Sequence, residues 1–502
     1  RTGAVTTLKE GLERIGDQEI RLWQLGKLYL TAGGDEFEQK AFDDVTDRLA
    51  EMRRPKPLAD LLRAQRLIRQ EKIEEARKQI VGIRGQLDRW PTVLVEADTS
   101  LGTCLLMQQR HEEAATTFSR ALNANPSAAA ARWGLARALE AGGKPDDALR
   151  EVELLSKNFG NVTSSVIGRQ LLIKRFQLEM QRLGRATATD DEWERLRGVI
   201  RANREQIAAQ ASDDSELARL AEELTGLESG ILYSRGRQQE ALELLAAEAQ
   251  KSPQSVPLWL TLSEMYDLLG NHGAAEVALS SLQQAVDSPT PDDAASIQVA
   301  VARHLVYADG AAAASQLKAM IKARRTVPSD PSERRSHLRS LESLGVLASS
   351  VGDSESASEA FEIVSQSDPD NFEVLVRRID LLLGSTGSPE EESEQQRLND
   401  KLTKLESLIN SIEPISPSME AVKHYGNAVT HIVRAEIKQA AGASREEQAV
   451  LAEYGAALER LNGVAKVFPR WGRVAHLQGI VLYNQGDEDG AADAWLRAVR
   501  FN

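Results

Sequence analysis

The chain is poor in the residues from which catalytic and metal sites are built. Its 502 residues include one cysteine, Cys104, so an intrachain disulfide is impossible and a centre built on paired thiols is excluded. Cys104 sits among Leu101, Leu105 and Leu106, a setting that predicts a packed, inert thiol. The seven histidines are scattered, with no HExxH and no Cys/His cluster at zinc spacing. His424 and His431 lie seven apart on one helix face, but two imidazoles without a third ligand read as surface histidines. There is no GxxxxGK[ST] phosphate loop, no GxGxxG and no GxSxG elbow. The three acids of Gly486-Asp-Glu-Asp-Gly490 lack the ligand spacing and closing Glu of a calcium loop, and predict a turn whose acids favour the start of the next helix. No apolar run approaches the ~18 residues needed to span a bilayer. Basic charge is also short, 61 Lys and Arg against 75 Asp and Glu for a net −14, which argues against nucleic acid as a partner. No catalytic residue, cofactor or metal is expected. No signal peptide is visible. The sequence begins at Arg1 without a methionine, so the expectation is either a removed leader or a piece of a longer protein, and a cytoplasmic or an exported setting both stay open.

What the chain has is helix-forming sequence in repeated blocks. Aromatic residues are 5%, alternating β-branched runs are rare, and Ala, Leu, Glu and Gln dominate, which favours an all-α protein. The clearest block runs from Leu101 to Pro126. Leu101 and Leu105 fall one turn apart on one helix. Ala114, Phe118 and Ala121, spaced four and three, give a second helix its apolar stripe. Gly102 and Ala114 are small, which suits two helices in close approach. Asn125-Pro126 ends the second helix, because proline disfavours helical geometry in the residue before it.

The same offsets recur with a period near 34. They hold Leu135, Ala136, Leu139, Ala148, Val152 and Leu155. They recur at Trp259, Leu262, Ser263, Tyr266, Ala275, Leu279 and Leu282. Further copies are Leu341, Leu344, Gly345, Ala357, Phe361, Val364 and Pro369, and Gly479, Leu482, Ala491, Trp495 and Ala498. Leu22, Leu25, Gly26 and Tyr29 match a first helix whose second is displaced through Gly33-Gly34-Asp35, and Ala76 with Ile80, and Ala241 with Leu245 and Pro253, mark two more second helices. Gly160 stands where the Leu135 copy would have its proline.

This pattern resembles the tetratricopeptide repeat (TPR) family, with its apolar or aromatic residue, Leu-Gly, Tyr, Ala, Phe, Ala and Pro at fixed offsets. The resemblance implies a right-handed superhelical solenoid of TPR-like helical hairpins. Residues 161–224, 290–335 and 384–450 are helical in pattern but off register, and Asp190–Ala211 reads as one long helix capped by Thr189 or Asp190. Three segments interrupt the helices: Asp287–Asp293, Arg324–Arg335 and Gly384–Glu392. The first predicts a boundary between solenoids at 1–285 and 286–502, with one continuous array as the alternative. The second is basic, with Lys318, Lys322, Arg324, Arg325, Arg334, Arg335 and Arg339 around it, and suits an acidic partner or another part of this chain.

In TPR proteins the first helix of each repeat lines the binding groove, so the resemblance places Thr99, Thr103, Trp133, Arg137, Leu260, Glu264, Glu342 and Val346 there. The Lys, Asn and Arg set with which some family members clamp a terminal carboxylate is missing. Arg137 is the candidate for an acidic group on a partner, and Trp133 a candidate apolar contact that suits the core better. The expected function is a non-catalytic scaffold for other proteins or peptides. The alternatives are a self-associating structural subunit of an envelope or other assembly, its ends bearing Trp495 and Phe501, or the interaction region of a larger protein.

Overall fold

The computed structural model describes residues 2–16, 18–30, 36–52, 56–70, 72–157, 166–185, 188–211, 215–369, 371–384, 393–414, 417–468 and 471–501. Among these residues there are helices and no strands. They form two compact units, dividing after Ile200. In the first unit lie α1 (Thr2–Ile15), α2 (Glu19–Leu30), α3 (Glu36–Met52), α4 (Pro57–Arg69), α5 (Ile73–Arg84), α6 (Pro91–Met107), α7 (His111–Ala124), α8 (Ala129–Ala141), α9 (Pro145–Lys157) and α10 (Val166–Arg185). The division falls within α11 (Asp190–Gln210). The second unit holds α12 (Ser215–Ser234), α13 (Gln238–Lys251), α14 (Val256–Leu268), α15 (His272–Ala285), α16 (Pro291–Ala308), α17 (Gly310–Lys322), α18 (Pro331–Ser350) and α19 (Ser354–Ser367). It continues through α20 (Phe372–Gly384), α21 (Glu394–Ser411), α22 (Pro417–Ala440), α23 (Gln448–Val467), α24 (Gly472–Asn484) and α25 (Glu488–Phe501).

Within each unit the helices pack as hairpins, and alternate helices also touch: α4 on α6 and α6 on α8 in the first, α12 on α14, α14 on α16 and α16 on α18 in the second. This is an all-α repeat solenoid, in which every hairpin buries its apolar stripe against its neighbours. The off-register stretches are helical as well, because an amphipathic stripe suffices for packing where the signature residues are missing. At the long helix, Thr189 and Glu192 form a reciprocal cap: the Glu192 N–H donates to Thr189 Oγ1 at 3.3 Å, and the Thr189 N–H to Glu192 Oε2 at 2.8 Å.

Among the described residues, one turn joins the two helices of a hairpin in seven places. In each, a residue with positive φ follows the first helix: Gln109 (59°), Gly143 (73°), Gly236 (75°), Gly270 (76°), Gly352 (80°), Gly442 (99°) and Gly486 (86°). The next N–H reaches back five residues to a carbonyl, as in Lys144 to Leu139 at 2.8 Å and Asp487 to Leu482 at 3.0 Å. Left-handed geometry costs little only for glycine, which is why six of these seven positions hold it.

The segments expected to interrupt the array are mostly short connections. Residues 287–290 pass from α15 to α16, and the Thr290 hydroxyl caps α16 by accepting from the Asp293 N–H at 3.2 Å. The boundary expected at residue 285 falls inside the second unit, where α14 and α15 both pack on α16. Residues 323–330 link α17 to α18, whose Glu333 N–H donates to Asp330 Oδ1 at 2.9 Å. Gly33-Gly34-Asp35, Gly160 and residues 385–392 lie outside the described residues.

Candidate protein-interaction surface

The signature residues build the hairpins. Leu101, Gly102, Ala114, Phe118 and Ala121 are buried, and Pro126 is exposed just beyond α7. The Phe118 ring fills the space left by two glycines: a Cβ on Gly102 would stand 2.7 Å from it, and a Cβ on Gly134, in the following hairpin, 2.3 Å. The same device recurs where a Cβ on Gly345 would meet Phe361 at 2.7 Å, and one on Gly479 would meet Trp495 at 2.3 Å. Ala357 and Ala491 are fully buried beside these rings, and Pro369 is exposed after α19. In the copy without an aromatic second helix, Leu262 and Ala275 are buried and Tyr266 and Trp259 half-buried. The Trp259 indole donates to the Pro253 carbonyl at 3.0 Å, tying the signature tryptophan to the preceding turn.

Most residues expected on the first-helix face are engaged within the protein. The Thr99 and Thr103 hydroxyls donate to the carbonyls of Val95 and Thr99 in their own helix. Leu260 packs beside Val256, Leu282 and Ile297, and Val346 against the α18–α19 core. Glu264 pairs with Arg303 of α16. Burial raises the Glu342 carboxyl above its ordinary range, against the pull of Arg377. Trp133 is half-buried and packs against the core of Ala136, Ala148, Val152 and Leu171. Two turns further along α8, Glu140 pairs with Lys174 of α10 at 3.1 Å and accepts from Gln181 at 3.3 Å. Arg137 stands between these two on α8, exposed, with no hydrogen bond or ion pair among the described residues.

Several polar clusters escaped the repeat pattern, two on the buried carboxylates Asp98 and Asp267 and one on the half-buried Asp380. Asp98, with its side chain 3% exposed, accepts two hydrogen bonds from each of Arg84 and Arg120, at 2.7 to 3.0 Å. Burial pushes its carboxyl up, but the two guanidinium groups outweigh that and hold it below the ordinary range. The cluster bolts α5, α6 and α7 together. In the second unit, Asp267 of α14 meets the Nδ1 atoms of His272 and His304, each at 2.9 Å. Asp380 of α20 accepts from the Tyr425 hydroxyl at 2.5 Å and faces Arg473 at 3.2 Å, and burial raises its carboxyl above the ordinary range. These pairs occur once each, so periodicity could not reveal them.

The other sequence candidates have structural roles. Cys104 is buried, and burial pushes its thiol up to about 12. His424 and His431 point to separate partners, Arg460 and Glu453. No group of three His, Cys, Asp or Glu among the described residues could hold a metal ion. In the acidic turn, Asp487 Oδ1 accepts from the Gly490 N–H at 2.9 Å at the start of α25. The basic segment pairs with the chain itself: Lys318 with Glu355 at 2.9 Å, Arg325 with Glu359, and Arg334 with the Ser367 carbonyl at 2.7 Å. No described helix is long and apolar enough to cross a membrane.

Residues 94–157, which hold the Phe118 joint and Arg137, match the tetratricopeptide repeat family. No curated protein matches the chain. Among solved structures, it is similar to a tetratricopeptide repeat protein from Parabacteroides merdae at 12% identity, over 61% of this chain and 98% of that one, with a TM-score of 0.36. It is similar to the apo quorum sensor NprR from B. thuringiensis at 12% identity, over 69% and 97%, with a TM-score of 0.38. A thermophilic TPR protein of Thermus thermophilus matches at 18% identity, over 58% and 99%, with a TM-score of 0.24. The tetratricopeptide repeat match is thus confined to residues 94–157, and the glycine–aromatic joint at its centre recurs at Gly345 and Gly479.

Proposed function

We propose that this protein is a non-catalytic scaffold that holds a protein or peptide on the first-helix face of its N-terminal unit, around α8. The observation that carries the reading is Arg137. Its neighbours on that face are spent on the protein's own contacts, whereas this guanidinium is exposed without a counter-charge among the described residues. A free guanidinium beside the half-buried ring of Trp133 suits a partner that offers a carboxylate next to an apolar side chain. Tetratricopeptide repeats serve this purpose well, since stacked hairpins present an extended surface.

A photo-crosslinking amino acid placed at Arg137, and in a second protein at the exposed Arg150 of α9, tests the proposal in cells. A discrete adduct from position 137 that is missing from position 150 supports it. Identical patterns from both positions, or none from 137, would overturn it. Arg137→Glu should abolish capture of that adduct's protein without changing the melting temperature, because the side chain has no hydrogen bond or ion pair among the described residues to lose.

A further inference from the structure

We propose that α25 is a homotypic interface, on which a second copy of this chain docks its own α25 in antiparallel orientation. The helix packs on α24 through Ala491, Ala494, Trp495 and Ala498. Beside that buried face runs a second apolar stripe, Ala492, Leu496 and Val499, spaced four and three. Leu496 is 59% exposed and Val499 76%.

The stripe does not follow from the repeat. In the hairpins that align through Gly102, Ala136, Ser263 and Gly345, the register position of Leu496 holds Ser119, Glu153, Ser280 and Glu362. The position of Val499 holds Leu122, Ser156, Gln283 and Ser365, and the one apolar residue, Leu122, is buried in the α6–α8 core. An apolar pair left open to water on the last described hairpin therefore has a use in contact with something else.

Charge identifies the occupant. Along the flank next to the stripe, Asp489 and Asp493 are followed by Arg497 and Arg500, acids in the first half of the helix and bases in the second. A two-fold axis perpendicular to two antiparallel helices puts this flank on the same side of both. Asp489 then faces the other copy's Arg500 and Asp493 its Arg497, and both pairings share one centre near Ala494 and Trp495. About that centre Ala492 of one helix falls between Leu496 and Val499 of the other. The hydrophobic and ionic registers coincide, as a self-complementary surface requires.

The test uses the whole 502-residue chain and measures mass by sedimentation or light scattering over a concentration series. Wild type should approach twice the chain's mass at high concentration. Leu496→Glu with Val499→Glu should weaken association by at least ~100-fold, or roughly 2.7 kcal/mol. A second pair of variants separates pairing from folding. D489R/D493R makes the flank wholly basic and R497D/R500D makes it wholly acidic. Each alone should stay monomeric with an unchanged helical circular dichroism spectrum, and an equimolar mixture should form a heterodimer. A wild type that remains monomeric, dimers unaffected by the charge reversals, or a mixture that does not pair would each overturn the proposal.

Discussion

Replacing Gln109 by glycine should stabilise the α6–α7 hairpin. Gln109 is the one non-glycine residue among the seven left-handed hairpin turns, with φ 59°, and its side chain is exposed. A residue with a Cβ loses roughly 1–2 kcal/mol in this conformation. Glycine returns about 0.5–1 kcal/mol of that through the extra freedom of the unfolded chain. The net gain is about 0.5–1 kcal/mol, a factor of roughly 2–5 in a local opening equilibrium. A global melt is a poor readout, because stability in a repeat array is distributed among neighbouring units. Amide hydrogen exchange resolves the hairpin: protection at Cys104–Phe118 should rise by that factor, and amides of α12–α14 should not change. Gly143→Gln is the converse experiment and should speed exchange in α8 and α9 by a comparable factor. Unchanged or reduced protection in Gln109→Gly, together with a neutral Gly143→Gln, would refute the argument that backbone handedness governs this turn.

Three further outcomes follow from the first unit. Gly134→Ala forces a Cβ to within 2.3 Å of the Phe118 ring and should cost about 1–3 kcal/mol by denaturant titration, with Phe118→Leu in the same chain recovering part of the loss. Cys104 should resist a thiol reagent in the folded protein at neutral pH and react fully in denaturant, since burial holds its thiol near 12; equal rates in both would contradict its placement. Asp98 has its carboxyl lowered in the folded state, so its contribution is complete above the ordinary carboxylate range and is lost as pH falls through that range toward the lowered folded value. Asp98→Asn should therefore cost about 1–3 kcal/mol at pH 7, the lower end because Arg84 and Arg120 are partly exposed, and should flatten the acid limb of the stability profile.

The hairpin array was legible because its cause is periodic. The spacing of Leu101, Gly102, Ala114 and Phe118 recurs, with substitutions of like size, wherever two helices must approach at the same distance, which gives five blocks in one register. The left-handed turn was equally periodic but went unread: Gly143, Gly270, Gly352 and Gly486 each stand seven residues after the aligned small position. Gly134 was hidden because it touches Phe118 across a hairpin boundary rather than within the motif. Asp98, Asp267 and Asp380 were hidden for a different reason, since a polar cluster needs only spatial convergence and leaves no spacing to detect. Arg137 is a candidate only through the groove positions that the resemblance implies, and what the structure adds is the set of neighbours engaged elsewhere. The boundary expected near residue 285 came from Pro289 and Pro291, which also suit a tight connection with proline at the first turn of α16.

The Phe118 joint bears on how the N-terminal unit comes apart. One ring serves both Gly102 in its own hairpin and Gly134 in the next, so the contact belongs to the bond between neighbours rather than to either one. In a linear chain of coupled elements, such a bond sets how far a local opening spreads before it stops. With the ring in place, fraying of α8 and α9 is transmitted to α6 and α7; with a smaller residue, the two hairpins melt as separate events. A ligand that lies across α6 and α8 would act as a splint over that joint, and its binding energy would register as cooperativity between hairpins more than as a shift in any single melting temperature.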